Sequence, residues 1–424
     1  MIESPEFTPS IQTPPSGKSL SPLSLRKRLL FLSVLAIFSL AFALLLAEVG
    51  LRLVFPQPLA APLYRETDFG YSLLPDLRDE PTQSDGGIEY RISTNRLGFR
   101  GREVPVPKSP GTRRVLVLGD SFPFGVGVSD TGCFPVLTEN LLNASPTTGT
   151  QGAVSSPVWE VVNLGCPGWG TENELAFWQQ QGRGLEADLL VLAFYKNDFS
   201  DNMRHDLFQV QDGQVVGSSR PTPSLLKRMA RALPFYRFLC AHSHLVNFVR
   251  RALVAREEVS HSVPSPPRAV VESSTETPKS DKAAQNLATW RAMRQVWDEQ
   301  FTREKRVYRA LMESLLQDAK SRKIPVLILL LAGTEDLIYP WPSDQLKVAT
   351  LLAREWADVG LADYEETLEP LRKAEQAGTL VFLPRDGHFT PEGNRLVAEK
   401  LVEKIRKMGL SPSQPVKSPQ EGAP

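Results

Sequence analysis

The 424-residue chain carries 48 basic and 48 acidic side chains, so its formal charge is zero, and 42% of its residues are hydrophobic. That balance builds no broad positive field, which sets nucleic acid aside as a partner. The apolar content suffices for one sizeable core accompanied by an anchor and flexible ends. Three cysteines, Cys133, Cys166 and Cys240, show no paired spacing and read as small apolar residues with at least one free thiol.

Residues 1–25 are rich in Ser and Pro and read as a disordered cytoplasmic tail. The next segment, 26–50, reads as a transmembrane anchor. Leu29 to Ala47 carries no charge, and only Ser33 and Ser39 are polar; as a helix this run spans roughly 28 Å. Arg26, Lys27 and Arg28 precede it, which places the N-terminus in the cytoplasm and the remainder of the chain on the other side of the membrane, periplasmic or at the cell surface. A cleaved signal peptide is the rival reading, but the run is longer than a signal core and no small-x-small cleavage site follows it. Residues 51–110 form a lead-in with turn-punctuated pieces, among them YRISTNRLGFRG at Tyr90 to Gly101, where a hairpin or edge strand is expected.

From there strands and helices alternate. Short apolar runs predict strands at Arg114 to Leu118, Trp159 to Leu164, Leu189 to Phe194, Val326 to Leu331 and Leu380 to Leu383. Helices are predicted at Phe134 to Leu142, Glu172 to Gln181, Leu287 to Ala319, Leu346 to Trp356 and Pro391 to Met408. In the long helix Trp290, Met293, Trp297, Phe301, Tyr308, Leu311 and Leu315 recur at helical steps and form one apolar face. Arg256 to Ala284 is dominated by Ser, Pro, Thr and charges and reads as a flexible insertion, and 409–424 as a disordered tail. The expected fold over 111–408 is α/β, a three-layer doubly wound sandwich around a mostly parallel five-stranded sheet.

The chemistry gathers at strand ends, where open α/β sheets carry their ligands. The first strand runs into Gly119-Asp120-Ser121. A serine hydroxyl needs a base to take its proton and donors for the oxyanion it creates. Of five histidines, His205, His242, His244 and His261 lie in polar or irregular stretches. His388 follows the last apolar run, and Asp386 stands two residues before it, close enough to fix its tautomer. Gly168, in NLGCPG, can bring its backbone N–H near a reacting carbonyl, and Asn197, in KND, offers a side-chain amide. Asp120 reads as a structural residue of the nucleophile turn. Phe122, Phe124, Trp169 and Tyr195 either shape a pocket or pack in the core. Asp198, Asp201 and His205 read as a solvated loop rather than a metal site, and no cofactor is expected.

These four blocks, GDS, NLGCPG, KND and DGH, stand in an order that resembles the SGNH hydrolases, also called GDSL esterases. The resemblance implies Ser121, Asp386 and His388 as catalytic residues, with Ser121, Gly168 and Asn197 as the oxyanion hole. It implies an ester hydrolase working through an acyl-serine. The pair Asp386-x-His388 is one residue shorter than the usual spacing and looks like that of membrane-associated O-acetyltransferases of the alginate type, while Tyr195-Lys196 replaces the usual glycine-containing pair. An O-acyltransferase acting on envelope polysaccharide or glycolipid is therefore the alternative. A non-catalytic carbohydrate-binding member is a third reading. Expected partners are an acyl ester substrate, an envelope glycan or lipid, and the membrane itself; the oligomeric state stays open.

Overall fold

The computed structural model describes residues 24–57, 59, 62–144, 158–204, 207–218, 235–261, 280–339 and 342–410, and the side chains at 254–298 and 300 lie outside that description. Two compact units result, one of α1 and the residues just after it together with Arg237–Glu257, the other of the remaining chain.

In the first unit α1 (Leu25–Val54) is one unbroken helix with no buried residue. It is the one described helix long and apolar enough to cross a membrane by length and composition. It runs four residues beyond the expected anchor because Glu48 and Arg52, spaced i,i+4, form an ion pair at 2.9 Å that continues the helix past the apolar stretch.

The second unit opens with two hairpins, β1 (Tyr64–Thr67) with β2 (Gly70–Leu73) and β3 (Glu80–Gln83) with β4 (Glu89–Ile92). Then follow β5 (Thr112–Gly119), the one-turn α2 (Ser121–Phe124), α3 (Phe134–Asn143), β6 (Val158–Gly165), α4 (Thr171–Gln180), β7 (Leu189–Phe194) and α5 (Asp198–Asp201). A third hairpin, β8 (Phe208–Gln211) with β9 (Gln214–Ser218), turns at Asp212-Gly213, both in the left-handed region. An Asp-Gly step between alternating apolar residues is a strong hairpin signal, and sequence reasoning missed it. The helices α6 (Tyr236–His242) and α7 (His244–His261) come next. The chain closes with α8 (Ser280–Ser321), β10 (Val326–Leu330), α9 (Thr334–Ile338), α10 (Asp344–Asp358), β11 (Asp363–Glu366), α11 (Leu368–Gln376) and α12 (Pro391–Lys407).

The central sheet has the order β11-β10-β7-β5-β6 with all neighbours parallel. Every residue of β7 and β10 is buried, as expected of Leu- and Val-rich strands covered on both faces. On one face α3 packs on α12, which also meets α11; on the other α4 packs on α8. In α8 the predicted apolar face is realised by Phe301, Tyr308, Leu311 and Leu315, all buried; Trp290, Met293 and Trp297 lie outside the described side chains.

Two expectations need correction. The fifth strand is Asp363–Glu366, not Leu380 to Leu383. The apolar run folds back on its own continuation, Phe382 bridging Phe389 and the Thr390 N–H donating to the Val381 carbonyl at 3.0 Å, so it never joins the sheet. The polar sequence DYEE forms the edge instead because α12 supplies Lys404 to Asp363 at 3.0 Å and Lys400 to Glu365 at 3.3 Å. The insertion is also shorter than expected, since α7 runs to His261 and α8 starts at Ser280; residues 262–279 lie outside the described residues. Cys133, Cys166 and Cys240 are all free and buried.

Candidate active site

The chain enters the sheet at β5, adds β6 on one side, and crosses back to place β7 on the other. The ends of these three strands flank the resulting switch point. At the end of β5 Asp120, fully buried, caps the short helix by accepting the Phe122 N–H at 2.9 Å. Gly125 closes the same helix in the left-handed conformation. Ser121 is thus held as the first helical residue, a position whose N–H has no partner within the helix.

Two buried side chains fix this turn from outside. The Asn163 amide donates to the Pro123 carbonyl at 2.7 Å and accepts the Gly165 N–H at 2.9 Å. Arg100, 2% exposed, donates to the carbonyls of Phe124, Gly125 and Val128 and pairs with Asp130 at 2.6 Å. With the Arg91 carbonyl as well, at 3.2 Å, the guanidinium is spent on four carbonyls and a carboxylate and so holds the loop that follows α2.

His388 Nε2 lies 2.8 Å from Ser121 Oγ, and His388 Nδ1 lies 2.5 Å from Asp386 Oδ1. Asp386 and His388 sit on one tight turn, in which the Leu383 N–H donates to the His388 carbonyl at 2.7 Å. The Phe122 ring packs against the His388 ring at 5.1 Å and against Phe389 at 4.8 Å, which limits rotation of the imidazole. Asp386 also accepts the Gly86 N–H at 3.0 Å through its second oxygen. Gly86 admits no side chain there, since a Cβ would stand 2.8 Å from Asp386 Cβ. Burial pushes the Asp386 carboxyl up, but hydrogen bonds from Ser84, Gly86 and His388 outweigh it and hold the pKa below the usual carboxylate range.

Gly168 has a φ of +80° and stands so close to the Tyr71 hydroxyl that a Cβ would lie 2.7 Å from it. Tyr71 in turn donates to the Pro167 carbonyl at 2.9 Å and accepts the Trp169 indole N–H at 2.9 Å on its own carbonyl. Asn197 donates its amide to Asp201 at 2.7 Å, and the same amide lowers the pKa of Asp120. Phe122, Phe124 and Trp169 are core residues, 3%, 1% and 0% exposed, while Tyr195 is half-buried against the Phe122 ring at 4.1 Å.

Beneath these groups lies a set of buried acids. Asp198 and Asp201 are 2% and 1% exposed, so the expectation of a solvated loop is wrong; His205 lies outside the described residues. Helix α5 folds inward because Phe199 packs on Phe194 and Tyr308, at 5.4 Å and 4.7 Å, and carries both carboxylates under the sheet end. Glu174, 3% exposed, joins them from α4. Burial and the charge of Asp120 push Glu174 up to about 8. Burial and the neighbouring acids likewise push Asp198 up, and burial pushes Asp201 to about 7 despite its partner Arg204. Among the described residues, one oxygen each of Asp120, Glu174 and Asp198, and the Tyr308 hydroxyl, has no hydrogen-bond partner. Sequence reasoning missed Ser84, Gly86, Tyr71, Arg100 and Glu174. Of these, Arg100 carried a signal, as a charged residue inside an otherwise apolar Gly-Phe-Arg-Gly turn.

No protein-family model matches the sequence, and no curated protein matches it. Among solved structures, a member of the lipolytic protein G-D-S-L family from Veillonella parvula matches at 14% identity and a TM-score of 0.34, covering 70% of this chain and 99% of its own. A lipase/acylhydrolase from Enterococcus faecalis matches at 16% identity and 0.34, covering 71% and 99%. An acetylxylan esterase from Geobacillus stearothermophilus matches at 12% identity and 0.36, covering 69% and 94%.

Proposed function

We propose that this chain is a membrane-anchored serine ester hydrolase of the SGNH type, acting through an acyl-Ser121 intermediate. The observation that carries the reading is the continuous chain of contacts from Ser121 Oγ to His388 Nε2 and from His388 Nδ1 to Asp386, at 2.8 Å and 2.5 Å. Ser121 Oγ attacks the acyl carbon while His388 Nε2 takes its proton; Asp386 keeps Nδ1 protonated and supports the imidazolium. The proton then passes to the leaving alkoxide, and water, deprotonated by the same nitrogen, releases the acid and restores Ser121. The Ser121 and Gly168 N–H groups and the Asn197 amide serve as oxyanion donors, the amide turning to the substrate from the carboxylates of Asp120 and Asp201 that it meets in the free protein.

A sugar hydroxyl in place of water makes the same intermediate an O-acyl donor for an envelope glycan or lipid. The single turn carrying both Asp386 and His388 favours this second reading, because it matches the short spacing of membrane-associated O-acetyltransferases. For the anchor, hydrogen bonds from Ser243, His244 and Leu245 to Glu48 support retention of α1 rather than its removal as a signal, since cleavage would strip a folded partner from α7. The Arg26-Lys27-Arg28 cluster supports a cytoplasmic N-terminus with the hydrolase on the other side of the membrane.

The test is hydrolysis of a short-chain p-nitrophenyl ester by the wild type and Ser121→Ala, with and without an oligosaccharide acceptor. Turnover falls by ~10⁴-fold or more in Ser121→Ala, and acylated sugar formed at the expense of free acid selects the transferase. A folded Ser121→Ala protein as active as wild type would sink the proposal.

A further inference from the structure

The end of α1 is built into a helix pair that lies almost two hundred positions further along the chain. Glu48 Oε2 accepts the Ser243 hydroxyl and the Leu245 N–H, both at 2.8 Å, and Oε1 accepts the His244 N–H at 3.0 Å. A carboxylate on the first-turn N–H groups of α7 satisfies donors the helix itself cannot and meets the positive end of its dipole. Arg52 donates to the His242 carbonyl at 2.7 Å, and the Gln57 N–H donates to His244 Nδ1 at 2.8 Å. On the inner side Cys240 and Asn247 are buried, Asn247 donating to the Ser243 carbonyl at 2.9 Å.

The outer side is apolar. Leu245, Phe248, Val249, Ala252 and Leu253 recur at steps of three and four along α7. Phe248, Val249 and Leu253 are 42%, 49% and 41% exposed, and Phe238 on α6 is 59% exposed. The strip is continuous with α1, because the Phe248 ring meets Phe55 edge-on at 6.4 Å. Arg237, Arg250 and Arg251 lie on the same two helices. An exposed aromatic and aliphatic face bordered by arginines is the composition of a helix that lies in a bilayer interface.

The position along α1 agrees. The uncharged run ends at Ala47, and Glu48 to Val54 adds roughly 10 Å beyond it, the layer where interfacial helices bury their apolar face. We propose that α6 and α7 form a foot that rests in the headgroup layer beside α1, with Phe238, Phe248, Val249 and Leu253 among the acyl chains. The occupant of this face is the lipid of the membrane that α1 crosses, so the inference rests on the anchor reading above.

The full-length chain, reconstituted in vesicles of phosphatidylcholine and phosphatidylglycerol, is labelled with an environment-sensitive fluorophore at Val249→Cys, at Ser39→Cys inside the span, or at Leu351→Cys as an exposed control. Labelled wild type gives the background from its three buried thiols. Expected is a blue-shifted emission at position 249 that is quenched more by lipids spin-labelled near the headgroup than by lipids labelled deep in the chain, with the reverse order at position 39. If position 249 behaves as 351 does while 39 is quenched, the foot is wrong and the anchor stands. If neither 39 nor 249 is quenched in an esterase-active preparation, the anchor reading fails and takes the foot with it. Shielding at 249 that grows with protein density, without lipid quenching, overturns the proposal in favour of a second copy. Leu253→Cys, on the same face, repeats the measurement if Val249→Cys does not fold.

Discussion

The two ends of the central sheet treat buried charge in opposite ways. At the end where the strands begin, Arg114 is fully buried and completely paired, with Glu160 at 2.5 Å and the carbonyls of Leu185 and Pro105 at 2.7 Å each. Asp188 beside it accepts the Arg114 N–H at 2.7 Å and pairs with Lys108. At the end where the strands finish, the charged groups acting on Glu174 and Asp198 are other acids, and among the described residues each keeps an oxygen with no partner, although Asp198 accepts the Tyr195 N–H through its other one. Paired charges at one end offset much of each other's desolvation, and the loss comes when one partner is taken away. Clustered acids at the other are retained against their own repulsion, as is typical where a fold yields stability to a site.

The largest test of this contrast is Asp386→Asn, which keeps the turn but removes the charge that orients His388. Ester turnover at neutral pH should fall by ~10⁴-fold, with only the modest fall in the urea midpoint that loss of a carboxylate of depressed pKa brings; a loss of stability with full activity would reverse the assignment of the two ends. Next comes Arg114→Met, which takes from buried Glu160 its 2.5 Å partner and leaves it only the half-exposed Arg102, at 3.4 Å. It should cost about 3–5 kcal/mol of stability and leave kcat of the folded fraction unchanged, with Glu160→Leu added in the same chain restoring much of the loss.

The smallest effect is a slope. The folded chain holds the Glu174 proton to about pH 8, whereas the unfolded chain releases it near 4.5. Between these values the folded state binds more protons, so stability is greatest below the window and falls as pH rises through it, by about 1.4 kcal/mol per pH unit for one proton. Glu174→Gln should flatten that part of the profile in urea unfolding followed across the window. An unchanged slope would mean that Glu174 is ionised in the fold. Asp386 works in the opposite sense, its depressed pKa adding stability that is lost only as the medium turns acid.

Much of this was legible from local patterns. The strands leading to Ser121, Gly168 and Asn197 announce themselves as apolar runs because both their faces are covered, and the structure brings Ser121, His388 and Asp386 within hydrogen-bond reach from positions 267 residues apart. The polar edge strand was not legible, since DYEE is made a strand by lysines of α12 rather than by its own composition. Nor were the partners of Asp386 and Gly168, because Gly86 and Tyr71 reach them from a hairpin region with no chemical signature. The apolar spacing of Leu245, Phe248, Val249 and Leu253 was present in the sequence and was obscured by the histidines and charges around it.

One consequence of the Gly86 contact concerns how little of the chain can be removed. A fragment trimmed to begin at β5 would still encode Ser121, His388 and Asp386, and by inspection would look complete. It would nevertheless have discarded the residues that hold the second oxygen of Asp386 and the arginine that closes the nucleophile turn. The economical boundary for a fragment that keeps the site intact therefore lies ahead of Tyr64, in a stretch that on first sight is only a spacer.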